Sequence, residues 1–114
     1  MQHKDIADRI KKAIKQPENF RNIAFSRADL AEIIGISETS LSHILNDEMH
    51  TDFHELLNTQ RTRYAHRVMQ MECHANDTLD EIAIFCGFKS RITFYRHFSA
   101  IYGMTPGKFK NSRI

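Results

Sequence analysis

Apolar residues recur at helical spacing along most of this chain, and no segment reads as a credible strand. Between positions 5 and 16, Ile6, Ile10, Ala13 and Ile14 form one stripe, and Pro17 supplies its stop. Residues 17–25 carry Pro, Asn and Arg with two phenylalanines, and read as a loop that still anchors in a core. Ser26 or Asp29 can cap the next helix, Gly35 ends it, and Ser37 caps a successor running to about Asp47. Positions 53–72 hold the longest stripe: Leu56, Leu57, Gln60, Tyr64, Ala65, Val68 and Met69, with no Gly or Pro. That predicts one continuous helix of about 20 residues, or about 30 Å. Residues 73–77 are short and polar and read as a linker. Thr78 and Glu81 fit a capping box for the next helix. Gly87 breaks it, and Ser90 starts another that runs to about Tyr102 and ends at Gly103. Thr105-Pro106 then places an N-cap before a proline at the first helical position. The expected fold is all-α, with about seven helices.

One pattern occurs twice. Asp29-Leu-Ala-Glu-Ile-Ile-Gly35 leads into a helix opening on Ser37, and Glu81-Ile-Ala-Ile-Phe-Cys-Gly87 leads into one opening on Ser90. Ala31 and Ala83 each precede their glycine by four residues, and large apolar residues follow each serine by four and eight: Leu41 and Leu45, then Phe94 and Phe98. A short helix, a glycine turn and a second helix form a helix-turn-helix, and two copies are a device for reading two segments of DNA. The organisation expected is an N-terminal lobe over 1–52, a linker helix over 53–72 and a C-terminal lobe over 73–114. A spacer of about 30 Å is close to the roughly 34 Å between successive major-groove faces, so one chain can read an asymmetric site without dimerising.

At 114 residues the chain makes one domain, or two small lobes sharing a helix. Apolar content of 41% fits a globular protein, and no apolar run approaches the roughly 18–20 residues that span a bilayer. The start, Met1-Gln-His-Lys-Asp, does not resemble a signal peptide. Cys73 and Cys86 match no CxxC pattern and read as reduced thiols of a cytoplasmic protein. Net charge is only +2, but its distribution is uneven. No Asp or Glu follows Glu81, whereas Lys89, Arg91, Arg96, Lys108, Lys110 and Arg113 do. That is the footprint of a phosphate-facing surface, with a solvated basic tail as the plain alternative. His50 and His54, and Cys73 with His74, lack zinc-site spacing, and no cofactor is implied. No nucleophile–base motif or phosphate-cradling glycine loop occurs, so the chain does not read as an enzyme.

With each serine at position zero and 100° per residue, Leu41 and Leu45, then Phe94 and Phe98, define the buried sides. Thr39, His43 and Asn46 then point outward in the first motif, with Ser42 on the flank. In the second, Ile92, Arg96 and Ser99 point outward, Tyr95 lies on the flank, and Arg91 and Thr93 occupy the exposed first turn. Arg91 or Arg96 can pair bidentately with guanine, His43 and Ser42 can bond an acceptor, and Ile92 can pack on a thymine methyl. Arg61, Arg63, Arg67, Lys89, Lys108 and Lys110 are candidates for phosphate contacts, joined by the helix N-terminus at Ser90. The rival reading is a helical protein-interaction module without DNA readout.

The string Thr78-Leu-Asp-Glu-Ile-Ala-Ile-Phe-Cys-Gly-Phe-Lys-Ser-Arg-Ile-Thr-Phe-Tyr-Arg-His-Phe, followed by Tyr102-Gly-Met-Thr-Pro-Gly-Lys-Phe109, closely resembles the signature of AraC/XylS-type transcriptional regulators. Leu30-Ala31, Gly35-Ile36-Ser37, Leu41-Ser42, and Leu57 with Arg61 and Ala65 agree with it too. The resemblance runs from about Ile6 to Phe109. It implies a seven-helix DNA-binding unit of two helix-turn-helix lobes on a long helix, acting on double-stranded promoter DNA in the bacterial cytoplasm or nucleoid. It also implies contact with RNA polymerase, while the spacer geometry points to a monomeric unit. By motif position it puts base contacts on Thr39, Ser42 and His43, and on Arg91, Ile92, Thr93, Tyr95 and Arg96. Such a unit is either free-standing or the C-terminal part of a longer regulator. The chain departs from the family at His43 (usually Arg), Leu45 (usually Phe), His50 (usually Gly) and Thr62 (usually apolar). The departure at His50 predicts either a left-handed backbone there, at some cost, or a different turn.

Overall fold

A computed structural model describes residues 3–112, with side chains from Asp5 onward. Arg113, counted above among the basic residues, lies outside the described residues. Eight α-helices and no strand occur among the described residues. They are α1 (His3–Ile14), α2 (Pro17–Phe20), α3 (Arg27–Ile34), α4 (Glu38–His43), α5 (Phe53–Val68), α6 (Leu79–Phe85), α7 (Arg91–Tyr102) and α8 (Pro106–Ser112). Two compact units emerge, Met1–Leu57 and Asn58–Ile114, and the boundary between them falls inside α5.

In the first unit, α1 packs on α2 and α3, and α3 on α4. Ile10, Phe20, Leu30, Leu41 and Leu45 are among its most deeply buried side chains. Pro17 does stop α1, but it also opens the extra helix α2 where a loop was expected. A proline at the first helical position loses no hydrogen bond, and Gln16 before it takes the extended backbone that proline imposes. Both anchors hold: Phe20 and Phe25 are buried, and the Phe25 ring lies 5.9 Å from Phe53. Ser26 and Asp29 share the start of α3 as a reciprocal capping box. After α4 the chain widens into a π-turn, Ile44–Glu48, in which Met49 N–H donates to the Ile44 carbonyl. His50 then adopts φ 53°, the left-handed one of the two alternatives.

In the second unit, Ala65, Val68, Ile82, Ala83, Cys86, Phe88, Phe94 and Phe98 form the core, flanked by Tyr64, Tyr95, Tyr102 and Phe109. Phe94 meets Phe98 edge-on at 5.9 Å, and Phe98 lies 4.8 Å from Tyr102. Cys86 is a small core residue, fully buried, while Cys73 is exposed. Thr62 reaches the core too, because its hydroxyl donates to the Asn58 carbonyl at 2.7 Å. That bond lets a polar residue stand where the family usually has an apolar one.

The long helix stops at Val68 after 16 residues, not at Glu72. Its length is therefore about 24 Å at 1.5 Å per residue, short of the groove repeat of about 34 Å. The stop needs neither Gly nor Pro. Gln70 and Met71 N–H donate to the Arg67 and Val68 carbonyls, tightening the last turn, and Gln70 Nε2 donates to the His66 carbonyl at 2.9 Å. The segment expected to be a plain linker is likewise built. His74 Nδ1 lies 2.6 Å from Asp77 Oδ2, the His74 ring lies 4.6 Å from Phe85, and Lys110 Nζ donates to the Asp77 carbonyl at 2.6 Å.

Candidate nucleic-acid interface

The repeated sequence pattern becomes a repeated set of hydrogen bonds. In the first copy, Gly35 at φ 84° turns the chain so that Ile36 N–H reaches the Ala31 carbonyl at 3.1 Å. In the second, Gly87 at φ 99° lets Phe88 N–H reach the Ala83 carbonyl at 2.9 Å. Only glycine takes such angles without a Cβ penalty, and this closure satisfies a carbonyl left open by the helix end. The alanine four residues before each glycine is thus the acceptor of the turn. Ser37 Oγ then accepts from Ser40 N–H, and Ser90 Oγ from Thr93 N–H, both at 3.1 Å. Leu41 and Leu45, then Phe94 and Phe98, face inward and are buried. One difference separates the copies. Gly35-Ile36-Ser37 is one residue shorter than Gly87-Phe88-Lys89-Ser90, and Lys89 is exposed on the longer turn.

On the first reading face Thr39 and His43 are exposed and Ser42 is half-buried. His43 Nδ1 lies 3.4 Å from Asp47 Oδ2, so the acid one turn on already engages the ring. On α7 Arg91, Ile92 and Arg96 are exposed, whereas Thr93 and Tyr95 are half-buried. Ile92 is 77% exposed, the largest value among the exposed large hydrophobics of the described residues. Thr93 doubles as part of the cap, its Oγ1 lying 3.3 Å from Ser90 Oγ.

Arg91 is the most organised of these side chains. Its Nη2 donates to the Tyr95 hydroxyl at 3.4 Å, its guanidinium carbon sits 5.2 Å from the Tyr95 ring centre, and its Nε lies 3.5 Å from Asp80 Oδ1. The Tyr95 hydrogen bond, then the Asp80 charge, raise its pKa above the ordinary arginine value. Asp80 belongs to the first turn of α6, where an acid also favours that helix's dipole. Its pairing with Arg91 is a contact that the sequence pattern does not announce. Both residues lie in the first turns of their helices, Asp80 in α6 and Arg91 in α7.

The phosphate candidates divide. Arg63 and Arg67 are exposed on α5, with the Arg67 guanidinium 5.5 Å from the Tyr64 ring centre. Both charges act on the Tyr102 phenol at the end of α7, whose pKa burial raises and they lower. Lys89, Ser90 and Lys108 are exposed. Lys110 is half-buried and its ammonium is committed to the Asp77 carbonyl. Arg61 is only 6% exposed and is engaged within the fold, and burial lowers its pKa to about 10, still charged at neutral pH. A guanidinium so enclosed cannot reach a phosphate, so Arg61 leaves the set and joins the structural residues.

A family model described as a helix-turn-helix domain matches residues 30–112. An uncharacterized HTH-type transcriptional regulator of Staphylococcus aureus (strain COL) is 32% identical over 88 residues, which is 77% of this chain and 11% of that protein. The chain therefore spans about a ninth of that relative's length. A DNA-binding transcriptional dual regulator from Escherichia coli K-12 superposes with a TM-score of 0.77 at 23% identity, over 94% of this chain and 90% of that one. The DNA-binding domain of AdpA, a global transcriptional factor solved in complex with a target DNA, gives 0.74 at 22% identity, over the same shares of each chain, 94% and 90%. At these identities the two structures speak for the fold, while the domain match speaks for the lineage. The chain belongs to the AraC-type helix-turn-helix family of transcriptional regulators.

Proposed function

We propose that this chain reads double-stranded promoter DNA in a sequence-specific way, placing its two recognition helices in successive stretches of major groove. The observation that carries this reading is the second copy of the turn. It holds α7 so that Arg91, Ile92 and Arg96 stand exposed along one helix, with no acid after Glu81 in the chain. Bases are read by Arg91, Ile92, Thr93, Tyr95 and Arg96 in the C-terminal lobe, and by Thr39, Ser42 and His43 in the N-terminal lobe. Arg63, Arg67, Lys89, Ser90 and Lys108 supply phosphate contacts, and Lys110 supplies one only by leaving Asp77. The 53–72 segment acts as the linker between the lobes 1–52 and 73–114.

The unit works without catalysis and as a monomer, in the cytoplasm at the nucleoid, and its bound form contacts RNA polymerase. No helix among the described residues is long and apolar enough to cross a membrane. A salt titration against duplex DNA tests the class of function. Four or five phosphate contacts predict that log K falls with log salt at a slope of about −4. No binding to duplex DNA even at low salt would instead favour a protein-interaction module without DNA readout.

A further inference from the structure

We infer that Asp80 is a positioning residue for DNA readout: it fixes which edge of the Arg91 guanidinium is offered to a base. The inference rests on the DNA-reading function proposed above.

Asp80 sits in the first turn of α6, outside the reading helix. The cap of that helix does not use it, because Thr78 and Glu81 close the capping box between them. Its carboxylate oxygen instead lies 3.5 Å from Arg91 Nε, while Arg91 Nη2 donates to Tyr95. Those two contacts occupy the side of the guanidinium that bears Nε. Nη1 and the second Nη2 hydrogen remain, and together they form the terminal fork that matches the O6 and N7 acceptors of guanine. A long side chain held before binding also has less freedom to lose on binding.

The first copy has no counterpart. Aligning Ala83 with Ala31 and Ser90 with Ser37 sets Asp80 against Ala28 and Arg91 against Glu38. The braced arginine belongs to the second lobe only.

An acid beside a DNA-facing surface also opposes phosphate neutralisation on every sequence. Removing it should therefore act in two opposite directions: tighter binding to unrelated duplex, and weaker preference for one base pair. A purely structural role for Asp80 would not produce that pair of effects.

The experiment begins with selection of sites from random duplex DNA by the 114-residue chain. Affinities of the wild type, Arg91→Ala, Asp80→Asn and the double variant are then measured on the selected site, on single base-pair replacements of it, and on unrelated duplex. Thermal melts confirm that each variant is folded. Arg91→Ala should lose about 5- to 100-fold of preference at one G·C pair. Asp80→Asn should lose about two- to fivefold at that same pair, the scale of an exposed ion pair, and should bind unrelated duplex more tightly. It should change nothing further at that pair once Arg91 is alanine. Asp80→Glu keeps the charge and should recover most of the preference. Full preference in Asp80→Asn, or an equal loss at every pair, would overturn the inference. A selected site whose preferences Arg91→Ala leaves intact overturns it while the DNA-reading function stands. If the wild type enriches no site at low salt, both fall together.

Discussion

Arg61 and Arg96 are both helix arginines of the second compact unit, and burial separates their roles. Arg61 follows Leu57 by four residues and precedes Ala65 by four, so it lies on the inward stripe of α5. Position on that stripe was legible in the sequence. Charge argued the other way, for phosphate, and the packed position won. Arg96 occupies the outward face of α7, opposite Phe94 and Phe98, and is exposed. Arg96→Ala is expected to cost about 1–3 kcal/mol of specific binding, read as lost discrimination between the cognate site and a mutated one. The fold itself should be unaffected, since an exposed side chain is removed. Ile92 stands exposed on the same helix, and under the proposed function it packs on a thymine methyl.

Among the elements, those with explicit punctuation were legible and those shaped by packing were not. Ser26, Thr78, Ser90, Gly35, Gly87 and Gly103 each stand at the helix end their chemistry indicates. The early stop of α5 had no such marker. It depends on Gln70 turning back to the His66 carbonyl and on tightened backbone bonds, and neither leaves a compositional trace. The π-turn after α4 is similar. Its wide closure, with Thr51 N–H donating to the Leu45 carbonyl at 2.9 Å, ends at His50 in the left-handed region. A Cβ there carries a penalty that glycine avoids. His50→Gly is therefore expected to stabilise the protein by about 0.5–1 kcal/mol, observed as a melting temperature raised by about 2–5 °C. An unchanged or lower melting temperature would mean that the histidine ring repays its backbone cost through its neighbours.

At the scale of the whole molecule, the all-α class and the duplicated turn followed from helical spacing and from glycines matched by alanines and serines. What stayed hidden was pairing at a distance in sequence. Asp80 with Arg91, and Lys110 with Asp77, join residues separated by a turn or by whole helices, and no local pattern announces them. The site was thus legible as a set of exposed residues and illegible as a set of partnerships. Those partnerships also make the two copies unequal. The second has a braced arginine and an extra lysine in its turn, whereas the first has Thr39, Ser42 and a histidine engaged by Asp47. Selection of bound sites from random duplex DNA tests the central claim most directly. Two elements should emerge, spaced about one helical turn of 10–10.5 base pairs, with the stronger preference in the element that Arg96→Ala weakens. A single element, or no enrichment at low salt, would contradict a chain that reads DNA with both of its helix-turn-helix motifs.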